Sequence, residues 1–206
     1  FLLPLPVLYI VYDFFYTILH GALHLQSIYP YIHKHHHIQK APSRANVDAI
    51  NVHPIEFFLG EYNHLFSFWI CSTYLLPGTG GCIHVLSSLV FLGLGGILTA
   101  FNHTRYDVQW NLPIILPFFF GKTTKTTITI YDSKAHDVHH RIPQSNYGQY
   151  TMLWDHIFGT FRSYNPKDRI VPKSQLDPKT GKSFEYYQQQ QHTKNGGNGV
   201  TNKKGT

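Results

Sequence analysis

FLLPLPVLYIVYDFFYTILHGALH, residues 1–24, is the stretch on which the fold turns. Its first 19 residues are apolar apart from Asp13, and about 19 residues at 1.5 Å each cross most of a hydrocarbon core of about 30 Å. It ends on His20-Gly-Ala-Leu-His24, two imidazoles at i and i+4 on one helix face at the edge of that span. A secretory signal is disfavoured, since there is neither a basic leading region nor a small-residue cleavage site. The run begins at once on Phe1 rather than Met, so an N-terminal portion is expected to precede it.

Working outward, residues 57–76 and 83–101 read as two more spans joined by Pro77-Gly78-Thr79-Gly80-Gly81, a turn of helix-breaking residues. Residues 112–120, LPIILPFFF, are too short to cross and carry two prolines, which predicts an interfacial or re-entrant piece. From Tyr164 the chain turns polar, with QQQQ at 188–191 and KNGGNG at 194–199. Residues 1–163 therefore read as one catalytic domain, and 164–206 as a disordered cytoplasmic tail.

A net charge of +6 would point to nucleic acid in a soluble protein, but all 17 Lys and Arg residues lie between Lys34 and Lys204, with none in 57–101. That distribution, with 16% aromatic against 14% charged residues, fits a membrane protein and argues against a nucleic-acid partner. If the first span ends near Leu19 on one side, the hairpin leaves and returns, and every histidine cluster falls on that side. So does every Lys and Arg, which makes it cytoplasmic by the positive-inside rule.

Histidine is the outlier, at 15 residues. His33-Lys-His-His36-His37 and His136-Asp-Val-His139-His140 share the spacing HxxHH. On a helix, i+3 and i+4 flank the direction of i by roughly 60° and 40°, so one turn can offer ligands to two neighbouring ions. His35, at i+2, points away. Imidazole suits iron, zinc and copper alike. A zinc peptidase needs HExxH, but residue 21 is Gly; a carboxylate-bridged di-iron bundle needs paired ExxH motifs, and only Glu61-Tyr-Asn-His64 is present. Cys71 and Cys82 form neither a disulfide framework nor a zinc knuckle. A histidine-only dinuclear site remains. The expected fold class is an all-α integral membrane protein, a bundle of about three spans with a cytoplasmic histidine-rich helical cap holding that site.

These boxes resemble those of the fatty acid hydroxylase/sterol desaturase superfamily of integral membrane non-haem di-iron oxygenases. YIHKHHH at 31–37, HPIE at 53–56, NHTRYD at 102–107, HDVHH at 136–140, NYG at 146–148 and WDHIFGT at 154–160 follow its order over about residues 5–163. The resemblance implies that His20, His24, His33, His36, His37, His136, His139 and His140 are metal ligands, with His103 a ninth and His53 a supporting or tenth candidate. It implies two iron ions, O2 as cosubstrate, and hydroxylation, desaturation or epoxidation of a lipid or sterol-pathway substrate. HPIE with the NHxxYD segment looks closest to the sterol-type branch, such as C4-methyl oxidases, or to alternative squalene epoxidases. Arg105, where the family often has Gly, and His156, where it often has Arg or Lys, bear on the substrate subgroup rather than the metals.

With no haem or flavin motif visible, electrons are expected from a partner such as cytochrome b5 or its NAD(P)H reductase. The terminal KKGT matches a dilysine retrieval signal if Thr206 is the true end, and so points to the endoplasmic reticulum membrane. Asp13, seven residues before His20, shares its helix face and is a candidate to orient a ligand or line the bundle. Glu56, in the first turn after Pro54, reads as a carboxylate set against the helix dipole. Glu61 and His64 are candidates to face the pocket, and Asp137 to hydrogen-bond an imidazole or to be solvated. His84 starts the return span roughly 27 Å from the metal side by helix rise and is not expected to be a ligand. The competing reading is a catalytically silent membrane protein with a structural zinc site.

Overall fold

Pro4 stands at the start of α1 (Pro4–Leu23), where its missing N–H costs nothing and its fixed φ suits a helix. The computed structural model describes residues 2–39, 42–76, 82–116 and 124–165. Along α1 the buried residues are Pro4, Leu8, Tyr12, Asp13, Thr17, His20 and Leu23, one stripe at helical spacing. Turns over 24–35 and a single 3-10 turn at His36–Ile38 lead to the short α2 (Asn46–Ala49). Then come α3 (Pro54–Ile70), ending in a π-helical turn over Cys71–Leu75, and α4 (Val85–Asn102). His53 and His84 cap these last two helices, accepting the N–H of Ile55 and Leu86.

The helices α1 and α4 are both long and apolar enough to cross a membrane, yet only 28% of the apolar window of each is buried. The buried stripe of α4 is Ser87, Phe91, Gly95, Leu98 and Asn102, and that of α3 is Glu56, Asn63 and Ser67. Large apolar side chains point outward instead, among them Ile10, Ile18, Phe58, Leu65, Trp69, Leu89 and Ile97. Buried stripes that mix polar, small and large side chains, with large apolar residues also facing outward, are expected of helices that meet hydrocarbon, where packing and interhelical hydrogen bonds replace the hydrophobic driving force. Such bonds are present: Asn63 donates to the Tyr12 carbonyl, and the Tyr9 hydroxyl to that of Phe91. The core between α1, α3 and α4 is built on Leu8, Tyr12, Cys71, Phe91, Leu98, Tyr131 and Tyr150.

The structure is mostly helical, but the all-α expectation misses a hairpin. The strands β1 (Gln109–Leu116) and β2 (Thr124–Asp132) pair antiparallel, from Gln109 opposite Asp132 to Leu116 opposite Thr124, with a bulge between Trp110 and Asn111. The alternating β-branched run in TKTTITIYD is the signal that was overlooked. Pro113 is tolerated because a two-stranded ribbon leaves each strand an unpaired edge. Residues 112–116 are thus strand, and 117–120 lie outside the described residues, as do the turn at 77–81 and the tail from 166. The expected span at 57–76 is one 17-residue helix and a wide turn, and it is not among the two helices long and apolar enough to cross a membrane. Asp132 caps α5 (Ser133–Arg141) by accepting the Lys134 N–H, and α6 (Leu153–Phe158) ends on Gly159 at φ 74°, the left-handed position glycine fills without strain.

Candidate metal centre

His20, His24, His33, His37 and His139 converge as one group, and His36, His103, His136 and His140 as a second; within each, the ligating nitrogens lie within 4.8 Å of one another. All nine sequence candidates are therefore brought together. Each HxxHH triplet sends i and i+4 to one group and i+3 to the other, and the two triplets do so in opposite senses. The i and i+4 directions are about 40° apart on a helix whereas i+3 falls about 60° to the other side, so one turn feeds two ions. For 136–140 that turn is α5; for 33–37 it is irregular, closing only as the 3-10 turn. His20 comes from the buried stripe of α1, His24 from its C-cap and His103 from the C-cap of α4. His35 is exposed and meets Asn51.

The ring nitrogens test whether this donor set fits cations. His20 Nδ1 lies 2.8 Å from the Tyr147 carbonyl and His139 Nδ1 2.6 Å from that of Ser145. A carbonyl only accepts, so both rings carry their proton on Nδ1 and expose a bare Nε2. His103 Nδ1 does the same toward the Thr99 carbonyl at 2.9 Å, and His33 Nδ1 pairs with the Glu56 carboxyl at 2.7 Å. Yet His33 Nε2 sits 3.0 Å from both His20 Nε2 and His37 Nε2. The bare Nε2 atoms of His20 and His139 thus face other ring nitrogens at 3.0–3.2 Å, a crowding of lone pairs that a cation relieves. In the second group His103 Nε2 lies 3.3 Å from His36 and 3.2 Å from His136. Burial, and then the charge of neighbouring imidazoles, holds His36, His136, His139 and His140 well below the ordinary imidazole range. Burial also brings His103 down to about 4. These rings are neutral at pH 7, the form that donates to a metal.

The other candidates are placed differently. Glu56, read from sequence as a dipole partner, is the carboxylate that orients His33; its place one helix start after HP made that contact hard to foresee. Asp13 is fully buried and accepts the backbone N–H groups of Gln149, Tyr150 and Thr151 and the Thr151 hydroxyl, at 2.7–2.9 Å. It thereby ties down the loop whose Ser145 and Tyr147 carbonyls hold His139 and His20. Asp155 does likewise from the other side, taking the N–H groups of Tyr147 and Gly148. Sequence reasoning did not single out these carbonyls or Thr99, because backbone acceptors leave no side-chain signature. Asp137 is buried between Arg105 and Arg141, 3.5 Å from each, rather than solvated. His53 caps α3 and joins neither group.

Beside the first group, a cavity of about 370 Å³ is lined from α1, α2, α3 and α4 and reaches Glu56. Glu61, His64, Tyr12, Thr99, Gln149 and Tyr150 give it polar points within an otherwise apolar wall. His64 lies 4.4 Å from the Tyr12 ring and 3.8 Å from Glu61, so these two candidates face the cavity rather than the imidazole groups.

The chain is 30% identical over 166 residues to lathosterol oxidase of Rattus norvegicus, covering 80% of this chain and 46% of that protein. It is 30% identical over 166 residues to methylsterol monooxygenase 1 of Danio rerio (76% and 46%), and 29% identical over 194 residues to human lathosterol oxidase (93% and 53%). The chain spans about half the length of these curated relatives. No solved structure matches it. Residues 5–160 match the model of the fatty acid hydroxylase family, a stretch that holds every one of the nine converging histidines, and the chain belongs to that family.

Proposed function

We propose that this chain carries the catalytic centre of a membrane-bound, O2-dependent oxygenase that oxidises a sterol or sterol-pathway lipid, with two iron ions held by the nine histidines. The observation that carries the reading is the pair of imidazole groups, with ring nitrogens opposed at 3.0 Å, set beside a cavity of about 370 Å³. The names of the relatives support a sterol substrate. Bound there, iron supplies the O2 chemistry needed to attack an unactivated C–H bond. The chain's own residues hold the ions through neutral imidazoles, fix ring orientation through Glu56, Thr99 and the 145–147 carbonyls, and seat the lipid against α1, α3 and α4. In the same reading α3 with its terminal turn is the third span, and the histidine side and C-terminus face the cytoplasm of the endoplasmic reticulum membrane. A cytosolic donor such as cytochrome b5 or its NAD(P)H reductase supplies electrons.

The test is sterol and lipid profiling after expression of the full chain in hosts lacking individual sterol oxygenases, together with metal analysis of the purified protein. Two irons per chain and consumption of one accumulated intermediate are expected. His139→Ala and His36→Ala abolish the turnover, whereas His35→Ala and His84→Ala retain it. Zinc at full occupancy under active conditions with no O2 consumption sinks the oxygenase reading in favour of a structural zinc site.

A further inference from the structure

The nine imidazoles are not anchored alike. In the five-histidine group, three outer nitrogens have acceptors: His20 on the Tyr147 carbonyl, His139 on that of Ser145 and His33 on the Glu56 carboxylate. The outer nitrogens of His24 and His37 are not held in this way. In the four-histidine group His103 is held by Thr99 of its own helix and His36 approaches the Asn51 backbone, whereas the buried Nδ1 atoms of His136 and His140 find no acceptor among the described residues. The neighbouring side chains differ as well: the Glu56 carboxyl meets a ring of the first group, whereas Asp137 and Asp48 meet arginines, Arg105 and Arg141 for the one and Arg44 for the other.

We propose that the two groups load unequally: the five-histidine group takes the first divalent transition-metal ion, the four-histidine group takes the second more weakly, and Glu56 acting through His33 creates much of the difference. This rests on the dinuclear reading of the centre. An acceptor on the outer nitrogen fixes the tautomer and orientation of a ligating ring and raises its basicity, and loss of such a partner costs about 10–100-fold in metal affinity. Here the acceptors are themselves immobilised, since Asp13 and Asp155 hold the backbone on which the Ser145 and Tyr147 carbonyls sit. The second group has to order the unanchored rings of His136 and His140 when it binds.

The full chain, purified in detergent and stripped of metal, is titrated with Co2+ and with Zn2+ against a competing chelator. Two ions per chain are expected. Repulsion between two bound cations separates the steps even for identical sites, so single-group variants decide the question. His103→Ala/His136→Ala leaves the first group, and His20→Ala/His139→Ala leaves the second. The former retains one ion at least about tenfold more tightly than the latter. Glu56→Gln in the former background weakens that ion about 10–100-fold and leaves the latter background unchanged. Equal affinities in the two double variants, or no effect of Glu56→Gln, overturn the proposal. Fewer than two ions in the parent chain overturns the dinuclear reading instead. Should a double variant fail to fold, Glu56→Gln alone must weaken the first step of the two-step titration and spare the second; equal movement of both steps counts against the proposal.

Discussion

Asp13→Ala is expected to be among the most damaging substitutions outside the histidines. The side chain is fully buried, and its two oxygens share four bonds: Oδ1 accepts the N–H groups of Gln149 and Tyr150 at 2.8 and 2.9 Å, and Oδ2 accepts the N–H and hydroxyl of Thr151, both at 2.7 Å. Truncation leaves three backbone donors without an acceptor, each worth about 1–3 kcal/mol of lost pairing, so that even with loop relaxation about 3 kcal/mol or more is lost. For a chain of this size that lowers the melting temperature by roughly 6–12 °C. Asp13→Asn is milder, because one oxygen still serves Gln149 and Tyr150 while the amide faces the Thr151 N–H, a loss of about 2 kcal/mol. Melting of the detergent-solubilised protein, followed by fluorescence-detected size exclusion, gives the ranking. An Asp13→Ala protein that melts within about 2 °C of the parent, or an Asn variant as unstable as Ala, refutes this bond-by-bond account.

Three further outcomes follow from particular contacts. Asn146, at φ 54°, donates to the carbonyls of Ala135 and Arg162 and accepts the Arg162 N–H, so Asn146→Ala loses all three bonds in a conformation Ala resists and costs about 3 kcal/mol, read as the same melting shift. A methyl group at buried Gly95 meets the Tyr150 hydroxyl at 2.6 Å, within an aromatic cluster that includes Tyr9 and Tyr12, so Gly95→Ala destabilises by about 1–3 kcal/mol. Asp48 is held below the ordinary carboxylate range: burial raises it, but the N–H groups of Arg44 and Ser43 and the Arg44 guanidinium outweigh that. Its contribution is complete above the unfolded value of about 3.9 and is lost as pH falls through the lower folded value. Asp48→Asn therefore lowers stability at pH 7 and flattens the acid limb of a melting-temperature profile; an unchanged limb counts against the assignment.

Much of the site was legible because ligand spacing is a property of the local chain. HxxxH at 20–24 and HxxHH at 33–37 and 136–140 named eight of the nine converging imidazoles, and NHTRYD supplied His103. Exclusion of His35 and His84 followed from the same helical geometry. Legibility failed where the partner is distant or is backbone. Glu56 lies 23 residues from His33, and its first-turn position invited a purely local reading. Asp13 was singled out as an intramembrane acid, but its partners lie 136–138 residues away. The hairpin was missed because prolines in LPIILPFFF drew attention from the alternating strand that follows.

Amino-acid order alone determined that apolar runs of spanning length alternate with histidine clusters, and which imidazoles share a helix turn, because both depend on residues within a few positions of one another. Only the tertiary structure decided how those imidazoles divide five and four, which of them are anchored, and where a cavity of about 370 Å³ opens beside them. The division depends on the packing of α1, α4, α5 and the 33–37 turn, and the anchoring on groups such as the Tyr147 carbonyl, 127 residues from His20, and the Glu56 carboxyl, 23 from His33, which no local spacing encodes.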